Sequence, residues 1–382
     1  MVQRTFKLKD FAQDISVAVR DAQVSPFDRF IGLEHYDSNE PVITRYTDTS
    51  LLTSSVKEFR ENDILIARRN VYLRRAGIVF FSGLTSGDSI VLRVYDDCEY
   101  RTGIPKEDAL KILPFILNSN AFWAYANKHA DGMNSKRISK DMLYDYEFDL
   151  PPLEEQRILA DKLWAAYRLK ESYKKLLTAT QEMVKSQFIE MFGTLDEPKV
   201  EVKKLIDVVL SSGQYGSNTS ATDYQEGKPR YIRITDINDD GSLNDDIKTA
   251  EVIEDKYKLI PGDIVFARTG ATVGKTYMHE TGNAIYAGYL IKYQMDESKM
   301  KPAFMKAFTH SKTYYNWVAN SQKIGAQPNI SAAQYDKMPV LVPQIEKQEE
   351  FLTIYQQADK SEFELRKSIE AIDQVIKSLI NS

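Results

Sequence analysis

The side chains best placed to do chemistry in this 382-residue chain are cations, amides and hydroxyls gathered on short loops. ARRNVYLRR (residues 67–75) sets Arg68, Arg69, Arg74 and Arg75 around Tyr72, and ARTGATVGK (267–275) presents Arg268, Thr269 and Lys275. Three more loops are of the same kind: HADGMNSKR (129–137) with Lys136 and Arg137, GQYGSNTS (213–220) with Gln214, Tyr215 and Asn218, and SQKIGAQPN (321–329) with Gln327 and Asn329. Arg233, in YIRITDI (231–237), completes the set. A guanidinium can grip a phosphate or the edge of guanine with two donors, and Asn or Gln can pair with adenine, so these residues are expected to contact DNA. Taken singly, each loop is explained as well by a solvated turn beside a strand. Recurrence at equivalent places in two halves of the chain favours the binding reading.

Other chemistries lack their residues. TGATVGKT (269–276) resembles a phosphate-binding loop, but Gly270 and Gly274 enclose three residues where the backbone cradle needs four, and the chain continues as strand, turn and strand instead of entering a helix. Asp239 with Asp240, and Asp245 with Asp246, sit among Gly and Asn and read as solvated turns. There is no GxSxG elbow and no Cys-His pair. The single Cys98 excludes an internal disulfide, and His35, His129, His279 and His310 are scattered without ligand spacing. No catalytic residue, metal ligand or cofactor is expected in the chain.

Composition is that of a globular protein, with 43% hydrophobic and 27% charged residues. No apolar run reaches membrane-spanning length and the N-terminus lacks a signal-peptide core, so no membrane partner and a cytoplasmic location are expected. A net charge of -5 argues against a non-specific polyanion binder, yet leaves room for a basic groove.

What positions the loops is a repeated framework. NDILIAR (62–68) returns as GDIVFAR (262–268), and FIGLEH (30–35) has a looser counterpart in YIRITD (231–236). Ile138 and Ser139 match Ile330 and Ser331, and LPPLEEQ (150–156) is answered by VPQIEKQ (342–348). Four landmarks in the same order indicate a tandem duplication. Strands are expected at 64–68, 76–81, 89–95, 231–237, 263–268 and 287–295, followed in each half by helical segments, the first broken at Pro114.

Between Pro152 and Gly193 nothing interrupts a helix, which at 1.5 Å per residue is about 60 Å long. Leu159, Leu163, Ala166, Tyr173, Leu177, Val184 and Met191 form an apolar stripe interrupted by Lys170, Thr180 and Gln187, with a charged back. Phe351, Tyr355, Ala358, Leu365, Ile369, Ile372, Ile376 and Leu379 form a second heptad stripe, broken only by Glu362. Two matched stripes point to a coiled-coil pair.

This order of globule, helix, globule and helix, with FIGLEH, YIRITDI, GDIVFARTGATVGK and the LPPLEEQ and VPQIEKQ helix starts, resembles the specificity subunit of type I restriction-modification systems over essentially the whole chain. The resemblance implies an α+β fold: two tandem mixed α/β target recognition domains, residues 1–149 and 193–341 with a linker, separated by two long helices, 150–192 and 342–382, forming an antiparallel coiled coil with pseudo-two-fold symmetry. It implies that each domain reads one half of a split double-stranded DNA sequence. The expected partners are two methyltransferase subunits carrying S-adenosylmethionine and two restriction/translocase subunits using ATP and magnesium, docked with the help of the polar faces of the helices. RRNVYLRR stands where the second half has a glycine-containing loop, which weakens residue-by-residue transfer to the first half. A coiled-coil adaptor with two protein-binding globules is the alternative.

Overall fold

A computed structural model describes residues 4–20, 25–52, 56–133, 135–321 and 328–381 of the chain. It divides into two compact units, Met1–Lys175 with Arg366–Ser382 (unit 1) and Leu176–Leu365 (unit 2). The cut falls inside each of the two long helices, α1 (Leu153–Phe192) and α2 (Ile345–Asn381).

Unit 1 is built on a four-stranded antiparallel sheet in the order Ala12–Asp14, Ser89–Val94, Ile64–Ala67, Ala76–Ile78. Ile64–Ala67 is buried at every position. Alternation explains this: Ile64 and Ile66 face the core shared with helices Lys106–Ile116 and Asn120–Lys128, while Leu65 and Ala67 face a second core with Ile31, Tyr36 and Phe59. The second core belongs to a five-stranded sheet in which Arg29–Ile31 pairs in parallel with Gly83–Ser86. Arg4–Lys7 pairs with Glu147–Leu150 and brings the two ends of the globule together.

Unit 2 repeats this plan. Gln214–Tyr215, Leu290–Tyr293, Ile264–Ala267 and Thr276–Met278 form the antiparallel sheet, Arg230–Ile232 pairs in parallel with Ala284–Tyr286, and Glu201–Lys204 pairs with Pro339–Val342. The central strand is again buried on both faces, with Ile264 and Phe266 toward the helices and Val265 and Ala267 toward Ile232 and Tyr286. The Asp before each central strand is buried. Asp63 accepts from the Arg60 N–H and takes both prongs of Arg93 at 2.7 Å, whereas Asp263 accepts from the Ile260 N–H with the Lys292 ammonium 3.7 Å away. The loose FIGLEH and YIRITD match is one tight turn closed by different acceptors: the Gly32 N–H donates to His35 Nδ1 and the Arg233 N–H to Asp236 Oδ2, each at 2.8 Å. Gln156 and Gln348, buried at the two helix starts, donate to the carbonyls of Pro151 and Pro343.

Within each unit α1 and α2 pack antiparallel. In unit 1 the Lys170 ammonium meets Asp373 at 2.7 Å, and Ile376 and Leu379 join the core of Ala160 and Leu163. In unit 2 the Gln181 amide donates to Glu362, and Phe188, Phe192, Phe304 and Phe351 form an aromatic cluster with ring centres 5.0 to 6.0 Å apart. Lys170 and Glu362, one interruption of each stripe, are thereby partnered. The offset of 192 that relates the helix starts carries Lys170 onto Glu362 and Gln181 onto Asp373, so the polar pairs are themselves a repeat. Lys170 is also 2.6 Å from Glu40, which ties a globule loop to both helices of unit 1.

Four local expectations need correction. Pro114 does not break its helix; it lies inside Lys106–Ile116, and the break comes at 117–119, where Asn118 donates to the Pro114 carbonyl and Ser119 caps the next helix. Two strands stop short, at Ile78 and Ile232, the second because the Arg233–Asp236 turn follows. A third starts late, at Leu290, since Tyr289 belongs to a hairpin tip. Beside the α1 stripe, in unit 2, Leu176 and Met183 stand seven residues apart, each about half exposed.

Candidate nucleic-acid interface

In each unit three segments converge where the central strand ends, and main-chain hydrogen bonds hold them. In unit 1 the Arg68 N–H donates to the Asp88 carbonyl, the Ile138 N–H to the Arg68 carbonyl, the Asn70 N–H to the Lys136 carbonyl, and the Ala67 N–H to the Arg75 carbonyl. In unit 2 the same four bonds run from Arg268 to Tyr289, from Ile330 to Arg268, from Gly270 to Pro328 and from Ala267 to Lys275. The loop after the central strand, a hairpin tip and the segment before Ser139 or Ser331 thus form one composite tip per unit.

The loops whose sequences differ most share a backbone. Asn70 and Arg74 bracket the turn Val71–Leu73 with φ of 56° and 50°; Gly270, which opens the turn Gly270–Thr272, and Gly274 beyond it have 70° and 89°. The left-handed region is open to glycine and strained for most side chains, Asn being the best tolerated. The glycines of TGATVGKT therefore serve a turn, and the strand Thr276–Met278 follows where a phosphate-binding loop would start a helix.

Side chains distinguish the two tips. In unit 1 Arg69 is exposed; its Nε donates to Ser135 Oγ at 2.9 Å and its Nη1 lies 3.9 Å from an Asp88 oxygen. Arg137 reaches the same oxygen at 3.4 Å. Lys136 is exposed and Tyr72 stands out, 61% accessible. Three arginines are more occupied. Arg74 donates to Asn120, Arg75 donates to the carbonyls of Leu33 and Arg69 and has its pKa lowered by burial, and Arg68 is half-buried.

In unit 2 the Arg268 guanidinium lies 4.8 Å from the centre of the Tyr215 ring and donates to Asn329 Oδ1. Tyr215 is fixed through its hydroxyl, which accepts from the Ala332 N–H, and Gln214 beside it is exposed while its main chain pairs with Lys292. Asn218 is exposed and presses on Gly288, where a Cβ would meet its Oδ1 at 2.0 Å. Thr269 bridges to Asn329 through the main chain. Lys275, the counterpart of Arg75, is paired with Asp239 at 2.7 Å and donates to the Ile237 carbonyl. Arg233 is held by the buried Asp236 and by Asp246, and none of its bonds reaches the tip. Gln327 lies outside the described residues.

Three tip residues were not singled out from the sequence. Ser135 carries no signal of its own within its loop, Asp88 sits in the SGDS turn between two strands, and Tyr289, 60% exposed, lies in a segment that reads as strand. Superposing the halves at an offset of 201 at the hairpins, instead of 200 at the central strand, places Asp88 on Tyr289. Among the described residues no group of three His, Cys, Asp or Glu could hold a metal ion, and no helix is long and apolar enough to cross a membrane. The tips offer forks of N–H donors, amides and aromatic faces, which suit phosphate contact, base-edge hydrogen bonding and stacking.

Residues 197–374 match the Type I restriction modification DNA specificity domain. The chain is 22% identical over 289 residues to the specificity subunit of the type I restriction enzyme EcoBI of Escherichia coli, covering 66% of this chain and 61% of that protein. It is also 22% identical over 310 residues to the EcoKI specificity subunit of Escherichia coli strain K12, covering 73% and 66%. The match thus spans somewhat under two thirds of either relative's length. Among solved structures the fold is shared with the S subunit of the type I restriction-modification system of M. genitalium, at a TM-score of 0.59 and 14% identity over 100% of this chain and 95% of that one. It is shared as well with a chain solved in work on complex assembly and conformational transition of the type I R-M system, at a TM-score of 0.56 and 16% identity over 99% and 96%.

Proposed function

We propose that this chain, in which residues 197–374 match a DNA specificity domain and unit 1 repeats the fold of unit 2, is the DNA-reading subunit of a type I restriction-modification complex. The observation that carries the reading is the composite tip, formed twice by the same four main-chain bonds and furnished with different side chains. One scaffold with two different tips fits a bipartite double-stranded target with dissimilar halves. Arg69, Tyr72, Lys136 and Arg137 are the foremost contacts of unit 1, with Arg68, Arg74 and Arg75 behind them. Arg268, Tyr215, Asn218 and Asn329 are those of unit 2, with Gln214, Thr269 and Lys275 alongside; Arg233 acts chiefly by shaping its turn.

In this reading the chain supplies recognition and no catalytic group. Two methyltransferase subunits bring S-adenosylmethionine, and two restriction/translocase subunits bring ATP and magnesium, in the cytoplasm. The outward Leu176 and Met183 on the unit 2 part of α1 support docking of a helical partner there, since exposed apolar residues seven positions apart on one helix need cover. Co-expression with the methyltransferase subunit, followed by single-base mapping of methylated adenines, tests the proposal. A split motif with two dissimilar halves, lost on deletion of this chain, is the expected result. A stable complex whose methylation ignores the deletion, together with no salt-dependent binding to duplex, overturns it in favour of the adaptor.

A further inference from the structure

We propose that Asp88 is a positioning residue on which the sequence preference of unit 1 depends: it holds Arg69 and Arg137 and restrains their attraction to phosphate. The inference rests on the DNA-reading function. Its ground is a carboxylate inside a cluster of cations. The Asp88 carbonyl accepts from the Arg68 N–H, which fixes the hairpin tip against the loop and brings the side chain between two arginines. One carboxylate oxygen lies 3.4 Å from Arg137 Nη2 and 3.9 Å from Arg69 Nη1; the Asp88 side chain is 25% exposed, each arginine side chain 46%. Ser135 takes the Arg69 Nε–H.

Such an arrangement does two things. It orients the Arg137 fork through the 3.4 Å contact and, with Ser135 on Nε, steadies that of Arg69, a direction that readout of one base edge requires. It also cancels part of the charge within a screening length, so that phosphates anywhere on a duplex are drawn in less strongly. Both effects favour discrimination over bare affinity.

Unit 2 meets the same need by other means. Its counterpart of Asp88 is the exposed Tyr289, and Arg268 is held by the Tyr215 ring and the Asn329 amide without a carboxylate at that tip position. The consequence of losing Asp88 should therefore be confined to one half of the target.

The test uses the full chain with its methyltransferase partner and a pool of duplexes with a randomised core, sequenced after binding. Wild type must enrich a two-part motif; failure there overturns the DNA reading and this inference with it. Given enrichment, Asp88→Asn is expected to bind the unselected pool about threefold to tenfold more tightly and to steepen the salt dependence by roughly one unit of slope. It should lose about tenfold or more of the preference in one half-motif and leave the other intact. Asp88→Glu should restore much of that preference. If Asp88→Asn melts below wild type, Arg137→Gln decides: it is expected to relax the same half-motif without tighter background binding. An Asp88→Asn motif and salt slope equal to wild type, or an equal loss in both half-motifs, overturns the assignment.

Discussion

Arg74 and Gly274 hold the same place in the two repeats, each with left-handed backbone, φ 50° and 89°. The surroundings are not equivalent. A Cβ at Gly274 would meet the Val318 side chain at 2.7 Å, whereas Gly270, also left-handed, faces open space. Gly274→Ala is therefore expected to destabilise the protein by about 2–4 kcal/mol, from strain plus overpacking, and Gly270→Ala by about 1–2 kcal/mol. Arg74→Gly should fall within about 1 kcal/mol of wild type, relief of strain offsetting the lost bond to Asn120. Denaturant midpoints check all three.

Lys170 is 5% exposed and lies within 2.7 Å of both Glu40 and Asp373. Lys170→Met removes the shared cation, but Glu40 keeps Lys174 at 3.0 Å and the Asp373 side chain is 37% exposed, so the cost is about 2–3 kcal/mol. The corresponding Gln181 and Glu362 pair carries a single charge, so Gln181→Leu should cost less, about 1–2 kcal/mol. Chemical denaturation of the two variants should rank them in that order.

Phosphate and base contacts separate by their salt behaviour. Lys136→Ala, an exposed point charge, should weaken binding to every duplex and lower the salt slope by roughly one. Arg268→Ala should relax one position of the target, by about 1–3 kcal/mol of discrimination. Binding isotherms at several salt concentrations, on matched and mismatched duplexes, distinguish the two.

His310 supplies a pH dependence. Burial pushes its pKa below the ordinary value, against the bond from its Nδ1–H to the Lys306 carbonyl and the nearby Asp240, which raise it. The unfolded chain then binds the proton more readily, so stability is complete above the unfolded pKa of about 6.5 and declines as pH falls below it. Denaturant midpoints compared between about pH 7 and about pH 5 should show the loss, and His310→Gln should flatten that component.

Leu176→Gln and Met183→Gln combined should leave the melting temperature of the free chain nearly unchanged, since these side chains are half exposed. Association with the methyltransferase subunit should be lost. Sedimentation of the mixture reports it directly.

The sequence is most informative where burial imposes a period. The α2 stripe from Phe351 to Leu379 is legible because each of its positions is wholly or partly buried, and NDILIAR and GDIVFAR are legible because a strand covered on both faces has no polar choice to make. Legibility fails where position depends on the rest of the chain. Asp88 gains its meaning from Arg137, far along the sequence, and Tyr289 is apolar enough to pass for a strand residue. Asn70 and Arg74 hide a turn that glycines make obvious in the other half. Leu176 and Met183 are hard to pick out because they flank the stripe instead of lying on it, among Ala179, Thr180 and Ser186.

Each tip is closed by main-chain bonds: those of Arg68, Asn70 and Ile138 in one unit, and of Arg268, Gly270 and Ile330 in the other, need no particular side chain. Residues 68–70, 72–75, 88 and 135–137 can thus be exchanged as a set while the sheet beneath stays folded, provided the left-handed positions are respected and Val71, buried in the core, is kept. If the tips read DNA as proposed, recognition can drift, or be grafted from one chain to another, at small cost in stability. A lineage built this way can acquire new targets faster than new folds.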